Sequence, residues 1–259
     1  MSVAVAQYAA LSRRSLVTTI RQPRAFIPPI LFPLMFMALS SAAFDRTTQL
    51  PGFPPSDSFL QFLICTTIVQ GALFASIAAG SDMAHDIEEG FFDRLIASPV
   101  ARTSILAGRV MGSFVFGFFQ AWFYLGVAAL FGLTVEGGFL GMLGVTIVAA
   151  MFAAGIASIA SAFAIRTGSS EAVLGAFPLL FSLMFISGLF FPRTLMDGWF
   201  KTAATINPLS HMVEGMRAQV ITGLDVSEWL SAVVIAAGFF VVGLALASLA
   251  LRRRLSVSS

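Results

Sequence analysis

Six stretches of this chain, near residues 25–44, 59–81, 105–132, 139–164, 172–191 and 229–251, are almost unbroken in their apolar character. A run of about 20 such residues spans a hydrocarbon layer of roughly 30 Å as a helix, and a lone helix satisfies all of its backbone amides and carbonyls there. The pattern predicts an all-α polytopic membrane protein with six transmembrane helices. Composition agrees, because 11% of the residues are charged, against roughly 25% in soluble domains.

The basic residues orient the spans, since short cytoplasmic loops hold an excess of Lys and Arg. With both termini cytoplasmic, eleven basic residues lie inside (Arg13, Arg14, Arg21, Arg24, Arg94, Arg102, Arg109, Arg166, Arg252, Arg253, Arg254) and four outside (Arg46, Arg193, Lys201, Arg217). The net charge of +2 follows from that inner collar. It therefore reads as anchoring to the lipid bilayer and not as nucleic-acid binding. Residues 1–24 read as an interfacial amphipathic helix with no cleavable signal pattern, and Pro23 separates it from a single six-span domain over 25–259.

Several polar and special residues carry structural expectations. Pro28, Pro29 and Pro33 in the first span are tolerated where neighbouring helices satisfy the carbonyls they free. The third and fourth spans form a hairpin turning at Glu136, Gly137 and Gly138. Small-residue pairs such as Gly108 with Gly112 and Ala154 with Ser158 read as packing positions. Gln61, Gln70 and Gln120 read as interhelical hydrogen-bonding groups. The lone Cys65 excludes a disulfide within the chain and reads as a packing residue.

An outer segment, about 192–228, predicts one or two short helices dipping into the outer leaflet. Asn207 is placed as a cap with Pro208 in the first turn. Glu214 and Arg217 are spaced to pair on one face, a contribution of about 0.2–0.5 kcal/mol.

Asp82 to Arg102, DMAHDIEEGFFDRLIASPVAR, holds five of the thirteen acidic residues within twelve positions, beside Ile87, Phe91, Phe92, Leu95 and Ile96 at helical spacing. A charged amphipathic helix at about 82–99, between two spans, reads as a docking handle for a partner. Gly90 inside it costs roughly 1 kcal/mol relative to alanine, and Ser98-Pro99 stops it before the next span.

Chemistry within the chain is sparse. No span places Asp, Glu, Lys or His near its middle, which disfavours ion-coupled transport. Lys201, the only lysine, follows Trp199-Phe200 and belongs to no phosphate loop, so any ATP is bound by another chain. His85 and His211 fall on opposite sides of the membrane and share neither a metal nor a triad. No catalytic residue and no metal site is assigned.

The docking handle, the six spans, the FISGLFFP run at Phe185 to Pro192 and the INPLSHMVEGMR segment at Ile206 to Arg217 together resemble the membrane subunits of type-2 ABC exporters. That group includes daunorubicin-resistance and Nod-factor export permeases. The resemblance implies a bacterial plasma (inner) membrane protein, a homodimer or a dimer with a paralogous permease, and two copies of a separate ABC ATPase subunit that carry ATP and Mg. This chain then holds no cofactor and is not itself an enzyme. By position, ATPase coupling falls on Asp86, Glu88, Glu89, Gly90, Phe91, Phe92, Arg94 and Leu95. The function implied is outward movement of a hydrophobic or amphipathic substrate between protomers, along a face that Phe32, Phe36, Phe181, Phe185 and Phe190 line. A drug-like molecule, a lipid and a lipid-linked glycan all fit. An ion-coupled secondary transporter and a membrane enzyme or assembly factor are the alternatives.

Overall fold

The structure, a computed structural model, describes residues 23–97 and 102–257. Nearly all of the interfacial helix expected over 1–24, and the Ser98-Pro99 stop, lie outside the described residues. The helices are α1 Pro23–Phe44, α2 Phe59–Glu88, α3 Phe91–Ala97, α4 Arg102–Leu130, α5 Gly138–Thr167, α6 Ser170–Gly175, α7 Phe177–Phe185, α8 Gly198–Ile206, α9 Pro208–Ile221 and α10 Val226–Val257.

The protein is an all-α polytopic membrane protein, and α2 and α5 are its centre. Their most apolar stretches are 78% and 67% buried, against 17%, 33% and 22% for α1, α4 and α10. α5 packs on α2, α4 and α10, while α1 lies along α2, and α9 lies against α10, α5 and α2. Because lipid tails are as apolar as leucine, close backbone approach takes over from hydrophobic drive between helices. The α5–α10 crossing is made that way: a Cβ on Gly155 would lie 2.7 Å from the Phe240 nitrogen, and one on Gly243 would lie 2.3 Å from the Gly155 oxygen. Ser158, one of the expected small residues, borders this contact.

Among the described residues, five helices are long and apolar enough to cross a membrane. The expected fifth span, 172–191, differs: it is the six-residue α6 and the nine-residue α7, both short of the roughly 20 residues a straight span needs. Pro178 explains the break, since it has no N–H for the Leu174 carbonyl four residues earlier. Beyond α7 the chain turns at Ile186, and two helices, α8 and α9, occupy the segment before α10.

Polar groups knit the ends of the bundle. The α4–α5 turn docks on the last turn of α9, with the amides of Glu136 and Gly137 donating to the Val220 and Gln219 carbonyls at 2.9 and 3.0 Å. Gln61 donates to Thr134, while Gln120 donates to the Tyr124 hydroxyl one turn on in the same helix, so its bond is not the expected interhelical one. Gln70 also departs from the expectation: its amide is buried and neither end is hydrogen-bonded among the described residues.

Candidate functional site

At the end of the bundle where α2 stops, Gly90 separates α2 from α3. Its φ of +69° lies in the left-handed region, which glycine enters without the cost a Cβ brings. The single helix expected over 82–99 is therefore two helices, and Gly90 is a C-terminal stop and not a helix-interior glycine. Its amide donates to the Ile87 carbonyl, and that of Glu89 to the His85 carbonyl. Among the described residues nothing lies within 4 Å of a Cβ built on Gly90, so backbone conformation is its requirement.

The eight expected coupling residues divide at this turn. Asp86 forms an ion pair with Arg109 of α4. Glu88 accepts from the Ser170 amide at 2.7 Å and from its hydroxyl at 3.0 Å, bracing the start of α6. Phe92 is turned inward and 1% exposed, and Leu95 packs partly buried against the same core. Glu89 and Arg94 are exposed, and Phe91 is half-buried beneath the Arg94 guanidinium at 6.0 Å. Glu89 also meets His85 at 3.1 Å. The three acids expected to face a partner, Asp86, Glu88 and Glu89, are thus each engaged within the chain, Glu89 with the exposed His85 one turn back. The outward surface is Glu89, Gly90, Phe91 and Arg94.

At the opposite end, Asn207 caps α9 as expected, with Oδ1 accepting from the Leu209 amide at 3.0 Å. Its Nδ2 donates to the Leu183 and Ile186 carbonyls, so one side chain ends α7 and starts α9. Pro208 occupies the first turn. The expected Glu214–Arg217 pair is not made. Glu214 pairs with Arg193 instead, and Arg217 is buried, donating to the carbonyls of Phe62 (2.9 Å), Gly188 (2.7 Å) and Leu189 and to the Thr66 hydroxyl. Its guanidinium also lies 3.6 Å over the Phe62 ring. Carbonyl oxygens of a turn and a charge-over-ring contact satisfy the cation without a carboxylate. Helical spacing within α9 carries no signal for acceptors that lie on α2 and the 186–192 turn.

Between the two ends the five expected phenylalanines share one continuous set of ring contacts. Phe36 meets Phe190 at 5.3 Å, Phe190 stacks on Phe185 at 4.6 Å, and Phe185 meets Phe181 at 5.0 Å. Phe181 and Phe32 are joined through Phe74 of α2, at 5.8 and 5.3 Å. Phe74 and Phe177 were not among the expected residues; the spacing of Phe177, Phe181 and Phe185 along one helical stripe carries the signal for Phe177, and nothing in it points to Phe74. Phe32 and Phe185 are 40% and 46% exposed, so the stripe has an open side. Thr66, Gln70 and Phe74 succeed one another at one-turn intervals on the α2 face that meets Leu189 and α7.

The ABC-2 type transporter family model matches residues 6–221. The chain is 28% identical over 190 residues to the daunorubicin resistance ABC transporter permease protein DrrB1 of Streptomyces coeruleorubidus, covering 73% of this chain and 64% of that relative, so it spans just under two thirds of the relative's length. It is 25% identical over 210 residues to the putative transport permease ycf38 of Cyanophora paradoxa, covering 80% and 71%. It is 23% identical over 238 residues to the probable doxorubicin resistance ABC transporter permease protein DrrC of Mycobacterium tuberculosis, covering 92% and 85%. The matched region runs from before α1 to the end of α9 and includes the break at Gly90, the aromatic stripe and the Asn207 and Arg217 clasps: the chain belongs to the ABC-2 type transporter family.

Proposed function

We propose that this chain is the membrane-spanning permease subunit of an ABC exporter, driven by two copies of a separate ATPase subunit that bind ATP and Mg. The observation that carries this reading is the break at Gly90, which leaves Glu89 at the end of α2, and Phe91 and Arg94 on a short helix whose Phe92 is rooted in the core, as an outward surface. Opposite charges beside an aromatic suit a groove in a partner, where charge sets register and the ring supplies buried area. Family membership and the permease names of its relatives support the same reading.

The permease works as a homodimer or with a paralogous permease in a bacterial inner membrane, with both termini cytoplasmic. The exposed apolar faces of α1 and α7, including Leu31, Met35, Leu39, Leu179 and Leu183, suit contact with a second permease and with lipid. Substrate moves outward along the stripe of Phe32, Phe36, Phe181, Phe185 and Phe190, which favours a hydrophobic or amphipathic molecule with flat apolar parts. Daunorubicin is the first probe, on the name of the Streptomyces relative.

The test is co-purification with candidate ABC ATPase subunits, followed by ATP hydrolysis and daunorubicin uptake in lipid vesicles. A stable complex that is lost in the E89A/F91A double variant, with the permease still folded, is the expected result. A complex that hydrolyses ATP and transports equally well with both residues replaced overturns the assignment of the docking surface.

A further inference from the structure

We propose that Arg254 is a positioning residue that latches the docking helix α3 to the last span, α10, so that movement of the ATPase enters α10 directly. The proposal rests on the coupling reading above and adds a second route to it, beside the covalent connection through α2.

Asp93 and Arg254 are 161 positions apart in the chain, yet Arg254 Nη2 donates to both Asp93 carboxylate oxygens, at 3.2 and 3.4 Å. The same guanidinium lies 5.7 Å over the ring of Phe92. One side chain of α10 therefore holds two neighbouring residues of α3, one buried and one exposed.

The position of the hinge gives this contact its meaning. Asp86 and Glu88 precede Gly90, so their bonds to Arg109 and Ser170 tie α2 to α4 and α6. Asp93 follows Gly90 and belongs to α3 itself. With Gly90 at φ +69°, α3 is not a stiff extension of α2, and a helix of seven residues needs outside contacts to keep its direction. Phe92 and the Arg254 latch provide them.

Beyond the latch, α10 is an unbroken helix of 32 residues. It is locked to α5 at Gly155 and Gly243, and to α9 where a Cβ on Gly215 would lie 2.2 Å from the Glu228 oxygen. A shift at Arg254 therefore reaches the far end of α10 and the helix that holds Arg217 and Asn207. Asp93 is exposed, and an ion pair in that setting adds little to folding stability. Its removal leaves the bundle intact and acts on transmission.

Hydrogen–deuterium exchange on the permease–ATPase complex in nanodiscs tests the latch, comparing residues 226–232 in the nucleotide-free and ADP–vanadate-trapped states. Trapping is expected to change exchange at this far end of α10 in the unaltered complex. R254D is expected to abolish that change while retaining the ATPase, and the charge-swapped D93R/R254D is expected to restore it. A merely structural role for the pair would not produce rescue by reversal. The latch is overturned if the unaltered complex shows no change at 226–232, if R254D responds like the unaltered protein, or if the swap fails to restore the response. Failure of the coupling reading is distinct: the unaltered permease then retains no ATPase.

Discussion

The hydroxyl of Tyr124 on α4 donates to the carbonyl of Pro29 on α1 at 3.0 Å, with the Ile30 carbonyl at 3.2 Å beside it. The Pro29 carbonyl is the one that Pro33, four residues on, leaves without a helical N–H. In hydrocarbon no water replaces that bond, so the phenol allows a proline-rich helix to sit in the membrane. Y124F should therefore lower stability by about 1–3 kcal/mol, the penalty for an unsatisfied buried acceptor. Thermal unfolding in nanodiscs measures this, and an unchanged midpoint in Y124F refutes the bridging role.

Gly155 and Gly243 should tolerate no side chain. G243V pushes α10 off α5 because even a Cβ there meets the Gly155 oxygen at 2.3 Å, and overpacking of this kind costs about 1–3 kcal/mol or more. Loss of monodisperse protein on size exclusion is expected for G243V. Gly126, with nothing within 4 Å of its Cβ position, is the control, and G126A should purify normally.

Gln70 should behave oppositely to Gln61. Both ends of the Gln70 amide are buried without partners among the described residues, so Q70L should stabilise the fold by about 1–3 kcal/mol, the penalty such a group carries. Q61L removes a bond to Thr134 and should destabilise. Paired melting curves decide it, and a Q70L protein less stable than the unaltered one would show that the amide is satisfied. Transport that falls as stability rises would place Gln70 in the substrate path.

Arg217 should not be replaceable by lysine. Its fork reaches acceptors on α2 and on the 188–189 turn together, a geometry that a single ammonium does not match. R217K is expected to loosen the 186–192 segment, read as faster proteolysis there, with a stability loss of about 1.5–3 kcal/mol per charged hydrogen bond broken. Wild-type protease resistance in R217K would count against the clasp.

Gly90 should respond to backbone and not to volume. G90A forces an L side chain into the left-handed region at a cost of about 1–2 kcal/mol, although no atom of the described residues lies near the added methyl. ATP hydrolysis by the complex should fall in G90A, and G90N, which enters that region more readily, should recover part of it. Equal rates for G90A and the unaltered protein would remove Gly90 from the coupling argument.

What the residues alone made legible follows from rules that act along the chain. The long spans were readable because the bilayer requires about 20 consecutive apolar residues, and the start of α9 because a cap and a first-turn proline act within one turn. The aromatic stripe was half legible: Phe181 and Phe185 share a helical face, but Phe74 joins them only once α2 lies against α1 and α7. A charged amphipathic segment after α2 was readable, while its internal geometry was not. Gly90 in sequence suits either a weak helix position or a left-handed stop, and the choice depends on how α3 is seated.

Amino-acid sequence by itself determined that this is an all-α chain for a membrane, with five of its thirteen acids gathered in one inter-span segment, because hydropathy and charge density are sums over neighbouring residues. Tertiary structure alone decided which charges meet. Glu214 went to Arg193, Arg217 to carbonyls of remote segments, Asp86 to Arg109 and Asp93 to Arg254. Ionic and hydrogen-bonding partners are chosen by distances of about 3 Å, and in a bundle those distances are set by which helices lie side by side, not by how far apart residues stand in the chain.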